Sequence, residues 1–145
     1  MDTLPETIGF RNLCEYRLPF YTGCVTYRIP NARLNVSADA GQVLLRTDGY
    51  RGSLVKVAPA DGSAEPKILA WEPYEADITE WAAAGSDIDV TLVCSRRNMF
   101  GPLHLVPAEF GVYGPEHFVT TGAHWSDDYA LINSSVYGIT IEERK

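Results

Sequence analysis

Residues 87–95, with the sequence DIDVTLVCS, place an apolar side chain at every second position. These side chains are Ile88, Val90, Leu92 and Cys94, and the positions between them are mostly polar. Successive side chains of a strand point to opposite faces, so the alternation predicts a β-strand with one buried and one solvated face. Strands of this kind belong to antiparallel sheets that cover a core on one side only. This segment therefore favours a fold built on antiparallel strands.

Similar short segments recur along the chain, separated by Gly, Pro and Asp turns, which is typical of a β-sandwich or barrel. Strands are predicted at residues 24–29, 34–38, 42–47 (ended by Asp48-Gly49), 53–57, 67–70 and 135–142, the last with Tyr137, Ile139 and Ile141 on one face. One helical turn is predicted at residues 79–84, with Thr79 as its N-cap and Gly85 as its stop. The sequence thus predicts an all-β fold.

The length of 145 residues suits one domain, which we place at residues 15–145. Residues 1–14 have no clean period and are predicted to be a linker or an N-terminal arm. The net charge of -7 disfavours nucleic acid as a partner, because phosphates require a basic face. No apolar run approaches the roughly 20 residues of a spanning helix, so no membrane partner is expected. The N-terminus lacks the features of a signal peptide, and the sequence leaves two locations, the cytoplasm or a larger exported protein.

The chain has three cysteines and no CxxC spacing, which argues against a disulfide framework and a structural zinc site. Cys94 continues the apolar face of its strand and is predicted to be a small core residue. The histidines His104, His117 and His124 match no ligand motif. No cofactor is expected, although the many carboxylates and loop carbonyls leave room for a structural calcium ion.

The irregular stretch from Arg96 to about Asp128 is the first place to look for a site, because long loops in compact domains are usually functional or packed against a partner. Arg96, Arg97 and Asn98 carry fixed donors that suit neighbouring sugar hydroxyls. Phe100 could supply an apolar platform for a sugar ring, and His104 closes the segment. The alternative is that Arg97 and Asn98 bond loop carbonyls and hold the turn together.

Trp71 and Tyr74 flank Pro73 and have two interpretations as well. They could stack on a ligand at the edge of the sandwich, or they could anchor the chain into the core, which the sequence favours. Asp77 is predicted to be a local turn or cap ligand.

Catalysis by this chain is not predicted. Asp87 and Asp89 lie on one strand face about 7 Å apart, a separation compatible with a glycosidase pair, but they should point into solvent. No G-x-S-x-G elbow is present, so a hydrolase triad has no support.

Three segments resemble one family. Residues 20–28, FYTGCVTYR, look like the opening "F-Y-x-G-x-x-x-Y" strand of galactose-binding-domain-like jelly rolls. Residues 71–79, followed by Gly85 and the alternating strand, are similar to the "W-x-P-Y-x-x-D-I-T … G-x-N-x-x-x-V" signature of that family. Residues 98–104, NMFGPLH, resemble an "N-x-x-G-P-x-H" loop in modules that end some large glycosidases. Two departures are residues 58–62 in place of a "V-N-G" hairpin and Asp87 in place of an Asn.

The resemblance implies a jelly-roll β-sandwich that accompanies a bacterial glycoside hydrolase as a non-catalytic, C-terminal accessory domain. Its expected partners are carbohydrate, bound weakly, and the neighbouring catalytic domain. The alternative is a module that braces a catalytic domain or an oligomer interface and binds no ligand of its own. The candidate carbohydrate-binding residues are Arg96, Arg97, Asn98, Phe100, His104, Trp71 and Tyr74.

Overall fold

Seven strands in two antiparallel sheets form most of the regular structure in a computed structural model, which describes residues 12–37, 39–108 and 112–145. The strands are β1 (Cys24–Ile29), β2 (Gln42–Arg51), β3 (Leu54–Pro59), β4 (Lys67–Leu69), β5 (Glu75–Asp77), β6 (Ile88–Val93) and β7 (Ser135–Arg144). One sheet has the order β1-β6-β3-β4 and the other the order β5-β2-β7. The helices are short: α1 (Thr79–Ala83), α2 (Arg97–Phe100) and 3-10 turns at Leu13–Tyr16, Asn31–Arg33 and Pro115–His117. The all-β prediction is confirmed at this level, and the architecture is consistent with a sandwich; the jelly-roll type stays a prediction.

The central strand β6 has the predicted two faces. Ile88, Val90 and Leu92 are fully buried and Cys94 is 3% exposed, as the alternation predicts. The other face carries a cross-strand ladder with β1, in which the Thr26 and Thr91 hydroxyls lie 2.8 Å apart. Residues directly opposite each other on antiparallel strands interact in this way and fix the register.

One hydrophobic core joins the two sheets. It contains Val55, Val57 and Leu92 from the four-stranded sheet and Val43 and Leu45 from the three-stranded sheet. Burial of each such side chain contributes about 1.5–3 kcal/mol relative to an exposed one. The packing between the sheets is therefore a main contribution to the stability of the fold.

The pair β2 and β7 departs from the prediction. β2 does not end at Asp48-Gly49 but continues to Arg51, paired with β7 on both sides of that point. Gly49 has φ +133° and Gly138 has φ +46°, conformations that side chains with a Cβ rarely adopt. The alternation between core-facing and solvent-facing side chains changes by one position at these glycines. Val136 is therefore fully buried and Tyr137 is exposed. The predicted common face of Tyr137 with Ile139 and Ile141 is wrong for this reason.

The strand predicted at residues 34–38 does not form in the described part of that range. The 3-10 turn Asn31–Arg33 leads instead into a loop in which Asn35 has φ +51°. The Asn31 side-chain amide nitrogen donates to the carbonyls of Ala82 and Ser86, both at 3.3 Å, and these bonds hold the turn against the end of α1. Leu34 is buried all the same. Ala38 lies outside the described residues.

Helix α1 begins as predicted but is capped differently. Ile78 occupies the N-cap position, and the Asp77 carboxylate accepts bonds from the Thr79 amide at 3.0 Å and the Thr79 hydroxyl at 2.5 Å. These bonds, with one from Gln42, lower the pKa of Asp77 to about 2. The local role predicted for Asp77 is confirmed, whereas Thr79 is not the N-cap. Gly85, with φ +77°, follows the helix end as predicted.

Most of the predicted N-terminal arm lies outside the described residues, so the boundary at residue 14 stays a prediction. Leu13 is buried, and its amide donates to the Ser134 carbonyl at 3.0 Å. Within the described ranges, none of the helices has the length and apolar character needed to span a bilayer.

Candidate functional site

Asn98 lies in the short helix α2, which follows β6, and is only 6% exposed. Its amide nitrogen donates to the carbonyls of Pro19 and Ile132, both at 2.8 Å. Its amide oxygen accepts a bond from the Ile132 amide at 2.9 Å. Both donors are therefore used by the backbone, which favours the structural interpretation over a contact with sugar.

Arg97 is also turned toward the protein. One terminal nitrogen, Nη2, donates to the carbonyls of Pro102 and Ala108, both at 2.9 Å. The guanidinium lies 4.9 Å from the centre of the Tyr113 ring, a cation–π contact. Arg97 thus ties together three separate points of the irregular segment. Arg96, which precedes it, and Phe100, at the end of α2, are exposed and stay available to a ligand.

His104 stacks on Trp125, with ring centroids 4.4 Å apart and an interplanar angle of 24°. Its Nδ1 lies 2.8 Å from the Ser126 carbonyl. A carbonyl can only accept, so Nδ1 carries the proton, and Nε2 of the neutral ring is an acceptor. The Tyr129 ring is tilted relative to the His104 ring, with centroids 5.2 Å apart, and forms a T-shaped pair with Phe20, with centroids 5.8 Å apart.

Backbone bonds between two irregular segments hold these rings together. Leu105 and Trp125 form an isolated antiparallel bridge. Beside it, the Ser126 amide donates to the His104 carbonyl and the Val106 amide to the His124 carbonyl, both at 2.9 Å. A short ladder of this kind fixes the rings far more firmly than free loops could.

We call the resulting cavity the aromatic pocket. It has a volume of about 300 Å³ and is lined by Gly101, Pro102, Leu103, His104, Phe118, Val119, Thr120 and Trp125. Phe118 is 57% exposed, so one aromatic face is open to solvent. None of the described lining residues is a carboxylate. The pocket can bind a ligand with an apolar face, and it holds no acid and base pair for cleavage.

Trp125, Phe118 and Tyr129 were not among the predicted site residues. The signal for them was the concentration of aromatics in a long segment without periodicity. The sequence does not show that His104 and Trp125 meet, because a single bridge between two irregular segments produces no repeating pattern of apolar residues.

Trp71 and Tyr74, predicted to anchor the chain together, have different environments. Tyr74 packs on the core and meets the Tyr50 ring edge-on, with centroids 5.3 Å apart. Trp71 is 77% exposed, so its predicted role as a core anchor is wrong. The Glu72–Pro73 peptide between them is cis.

A second concavity, the polar groove, lies on the outer face of the three-stranded sheet beside this turn. It has a volume of about 650 Å³ and is lined by Arg46, Thr47, Asp48, Glu72, Pro73, Tyr74, Thr140 and Glu142. The predicted site residues are therefore divided between two places, with His104 in the aromatic pocket and Tyr74 in the polar groove.

The carboxylates considered for catalysis have structural partners. Asp89 accepts two bonds from the Arg28 guanidinium, at 2.8 and 2.9 Å, across β1 and β6. The Asp87 carboxylate accepts a bond from the Asn31 backbone amide at 2.9 Å. The expectation that both simply point into solvent is thus wrong in detail, since each supports the surface structure.

The three histidines lie in different surroundings. His117 accepts a bond from the Gly114 amide, and His124 lies 3.0 Å from the Val106 carbonyl. Across residues 12–37, 39–108 and 112–145, no group of three or more His, Cys, Asp or Glu side chains is arranged to hold a metal ion.

Comparison of the chain with protein-family models, with curated proteins and with solved structures finds no match. The motif resemblance to galactose-binding-domain-like modules therefore stays a prediction, and the functional argument depends on the geometry described above.

Proposed function

We propose that the protein is a non-catalytic β-sandwich module that binds carbohydrate weakly in the aromatic pocket. The observation that carries the proposal is the stacked pair His104 and Trp125, which lines an open pocket together with the exposed Phe118. Aromatic faces in such an arrangement suit the C–H face of a pyranose ring, and Nε2 of His104 offers an acceptor for a hydroxyl.

The ring pair is also held in advance of binding. The bridge at Leu105 and Trp125 and the bond from His104 to Ser126 limit the motion of both rings. A rigid aromatic wall loses little conformational entropy when a ligand arrives. This feature favours a binding site over a surface that is apolar by chance.

The finer part of the proposal is that the module is a galactose-binding-domain-like jelly roll that serves a glycoside hydrolase. The resemblance of residues 20–28, 71–79 and 98–104 supports it, and the two antiparallel sheets are compatible with it. The partner in this case is the neighbouring catalytic domain.

Calorimetric titration with a panel of oligosaccharides, guided by a glycan array, tests the binding. We expect dissociation constants between micromolar and millimolar. Phe118→Ala should weaken binding about tenfold, the loss of one well-placed aromatic contact. Phe100→Ala is the matched control, because Phe100 is exposed but does not line the pocket.

Two results would contradict the proposal. Absence of heat and of array signal with every glycan would remove the binding function. Turnover of chromogenic glycosides by the purified chain, beyond that of a Trp125→Ala variant, would remove its non-catalytic character.

A bracing module is the second candidate, and one observation favours it. Met99 and Phe100 of α2, and Val112 further along the chain, are exposed apolar side chains, with Val112 at 78%. Exposed apolar side chains of this size are frequent in protein interfaces. This candidate predicts no response to sugar and self-association or binding to the catalytic domain that Phe100→Ser and Val112→Ser both weaken, as measured by sedimentation velocity.

A further inference from the structure

The polar groove is a separate place from the aromatic pocket. The two share no lining residue, and they are built by different parts of the chain: the pocket by irregular segments, the groove by strands β2 and β7 and the turn at Pro73. Its volume of about 650 Å³ is about twice the 300 Å³ of the pocket. The groove therefore offers about twice the room of the pocket.

Ion pairs fix the polar groups of the groove before any ligand binds. The Arg46 guanidinium lies 2.8 Å from one Glu142 oxygen and 3.5 Å from a Glu75 oxygen. The other Glu142 oxygen accepts a bond from Arg144 at 3.0 Å. Donors and acceptors held in this way can meet hydroxyl groups without losing side-chain freedom.

The exposed Trp71 directly precedes Glu72 of the groove lining. An indole ring that is 77% exposed leaves most of its surface in water, which is unusual for the largest apolar side chain. Its neighbour Tyr74 is held by the core. The turn therefore carries one exposed aromatic side chain at the position before the groove residue Glu72.

The charge of the groove narrows the class of ligand. Three carboxylates, from Asp48, Glu72 and Glu142, line it against the single guanidinium of Arg46. Carboxylates accept bonds from hydroxyl groups and repel anions. Uronates, sulfated sugars and phosphates are thus disfavoured, and neutral polyols are favoured.

We propose that the polar groove is a second saccharide subsite, which takes an internal segment of a neutral glycan with one ring stacked on Trp71. The inference rests on the proposed carbohydrate binding and adds to it a second location and a class of ligand. The aromatic pocket takes a single ring, and the groove takes a stretch of chain.

The three tryptophans allow both subsites to be tested in one experiment. Trp71 directly precedes the groove residue Glu72, Trp125 lines the pocket, and Trp81 is buried in the core as an internal reference. The indole N–H resonances are followed by NMR during titration with neutral gluco-, manno-, galacto- and xylo-hexasaccharides and with oligogalacturonate. We expect at least one neutral hexasaccharide to shift the resonances of Trp71 and Trp125 and to leave that of Trp81 unchanged.

The outcomes separate this inference from the proposed function. A shift of Trp125 with no shift of Trp71 across the panel overturns the second subsite and leaves binding in the pocket intact. A shift of Trp71 alone supports the groove and removes the pocket. No shift of either removes both. A larger response to oligogalacturonate than to the neutral sugars overturns the ligand class.

Variants provide the second measurement. Trp71→Ala should weaken binding of the responding hexasaccharide about tenfold and leave binding of the corresponding methyl monosaccharide unchanged. Ile68→Ala is the matched control, because Ile68 is an exposed apolar residue of β4 outside the groove lining. Because Trp71 is largely exposed, its replacement should not disturb folding. Equal hexasaccharide affinity of Trp71→Ala and the wild-type chain would overturn the inference.

Discussion

Asn98 and Arg97 carry the donors that a sugar hydroxyl requires, and the same donors suit a backbone carbonyl. Irregular backbone leaves many carbonyls without a ladder partner, and buried carbonyls need a donor. In this chain Arg97 donates to the Pro102 carbonyl, and Asn98 donates to the carbonyls of Pro19 and Ile132. The residue type alone does not distinguish a bond to a sugar hydroxyl from a bond to a backbone carbonyl. The direction in which each side chain points distinguishes them.

Asn98→Ala should therefore destabilise the protein and not act on sugar binding directly. The change leaves the Pro19 carbonyl and the Ile132 carbonyl and amide without their partner. This loss should lower the free energy of unfolding by about 2–4 kcal/mol. Arg96→Ala is the control, since Arg96 is exposed two positions before Asn98. Urea denaturation of both variants measures the difference. A stable Asn98→Ala protein that fails to bind sugar would show that Asn98 is a ligand residue.

Asp77 gives the stability a defined dependence on acid. Its hydrogen bonds hold the folded-state pKa at about 2, below the ordinary value of 3.8. A group with a depressed pKa stabilises the fold above the unfolded value, and this stabilisation is lost as pH falls through the folded value. Asp77→Asn should thus make stability less dependent on pH between about 4 and 2. Thermal unfolding at several pH values measures it, with Asp128→Asn as a charge-matched control; equal slopes in both variants would contradict the assignment.

At the scale of elements, the shift of faces in β2 and β7 decides which side chains reach the core. The two glycines at the shift, Gly49 and Gly138, are almost opposite each other across the pair. A Cβ at Gly138 would also meet the Asp48 carboxylate. The glycines therefore permit one long strand pair to bury Val136 at one end and Ile141 at the other.

Gly138→Ala should cost about 1–2 kcal/mol, chiefly because its φ is positive and because Asp48 has to turn away. Gly85→Ala provides the comparison, since Gly85 also has positive φ but no atom lies near an added Cβ. We expect Gly138→Ala to cost at least as much as Gly85→Ala, and Gly138→Asn to cost less than Gly138→Ala, because Asn tolerates this conformation better. Denaturant midpoints measure all three. An alanine at 138 without cost would contradict the role of the shift.

The parts of the fold that the sequence predicted are those governed by local alternation. β1 and β6 were predicted because burial on one face repeats every second residue, and Gly85 because a positive φ favours glycine. The shift at Gly138 was missed because two distant glycines act together. The site was predicted only in part, since the contact of His104 with Trp125 depends on a bridge between segments that have no pattern.

At the scale of the whole molecule, one core supports both concavities. The aromatic pocket lies in segments attached to β6 and β7, and the polar groove lies on the face of β2 and β7 that points away from the core. Neither contributes its lining to the main apolar cluster, apart from Tyr74, which packs at its edge. Substitution of exposed lining residues such as Phe118 should thus change binding without changing the stability of the sandwich.

A shared core also predicts that the two sheets unfold together. Leu45 of the three-stranded sheet and Leu92 of the four-stranded sheet are fully buried in the same cluster. Leu45→Ala and Leu92→Ala should each lower the free energy of unfolding by about 2–5 kcal/mol, the cost of a cavity in a packed core. In both variants we expect a single transition, with the same midpoint from tryptophan fluorescence and from far-ultraviolet circular dichroism.

Ile68→Ala, on the exposed side of β4, should leave the midpoint nearly unchanged. Two separate transitions, each shifted by only one of the core variants, would mean that the sheets are independent units and that the prediction of a single domain is wrong.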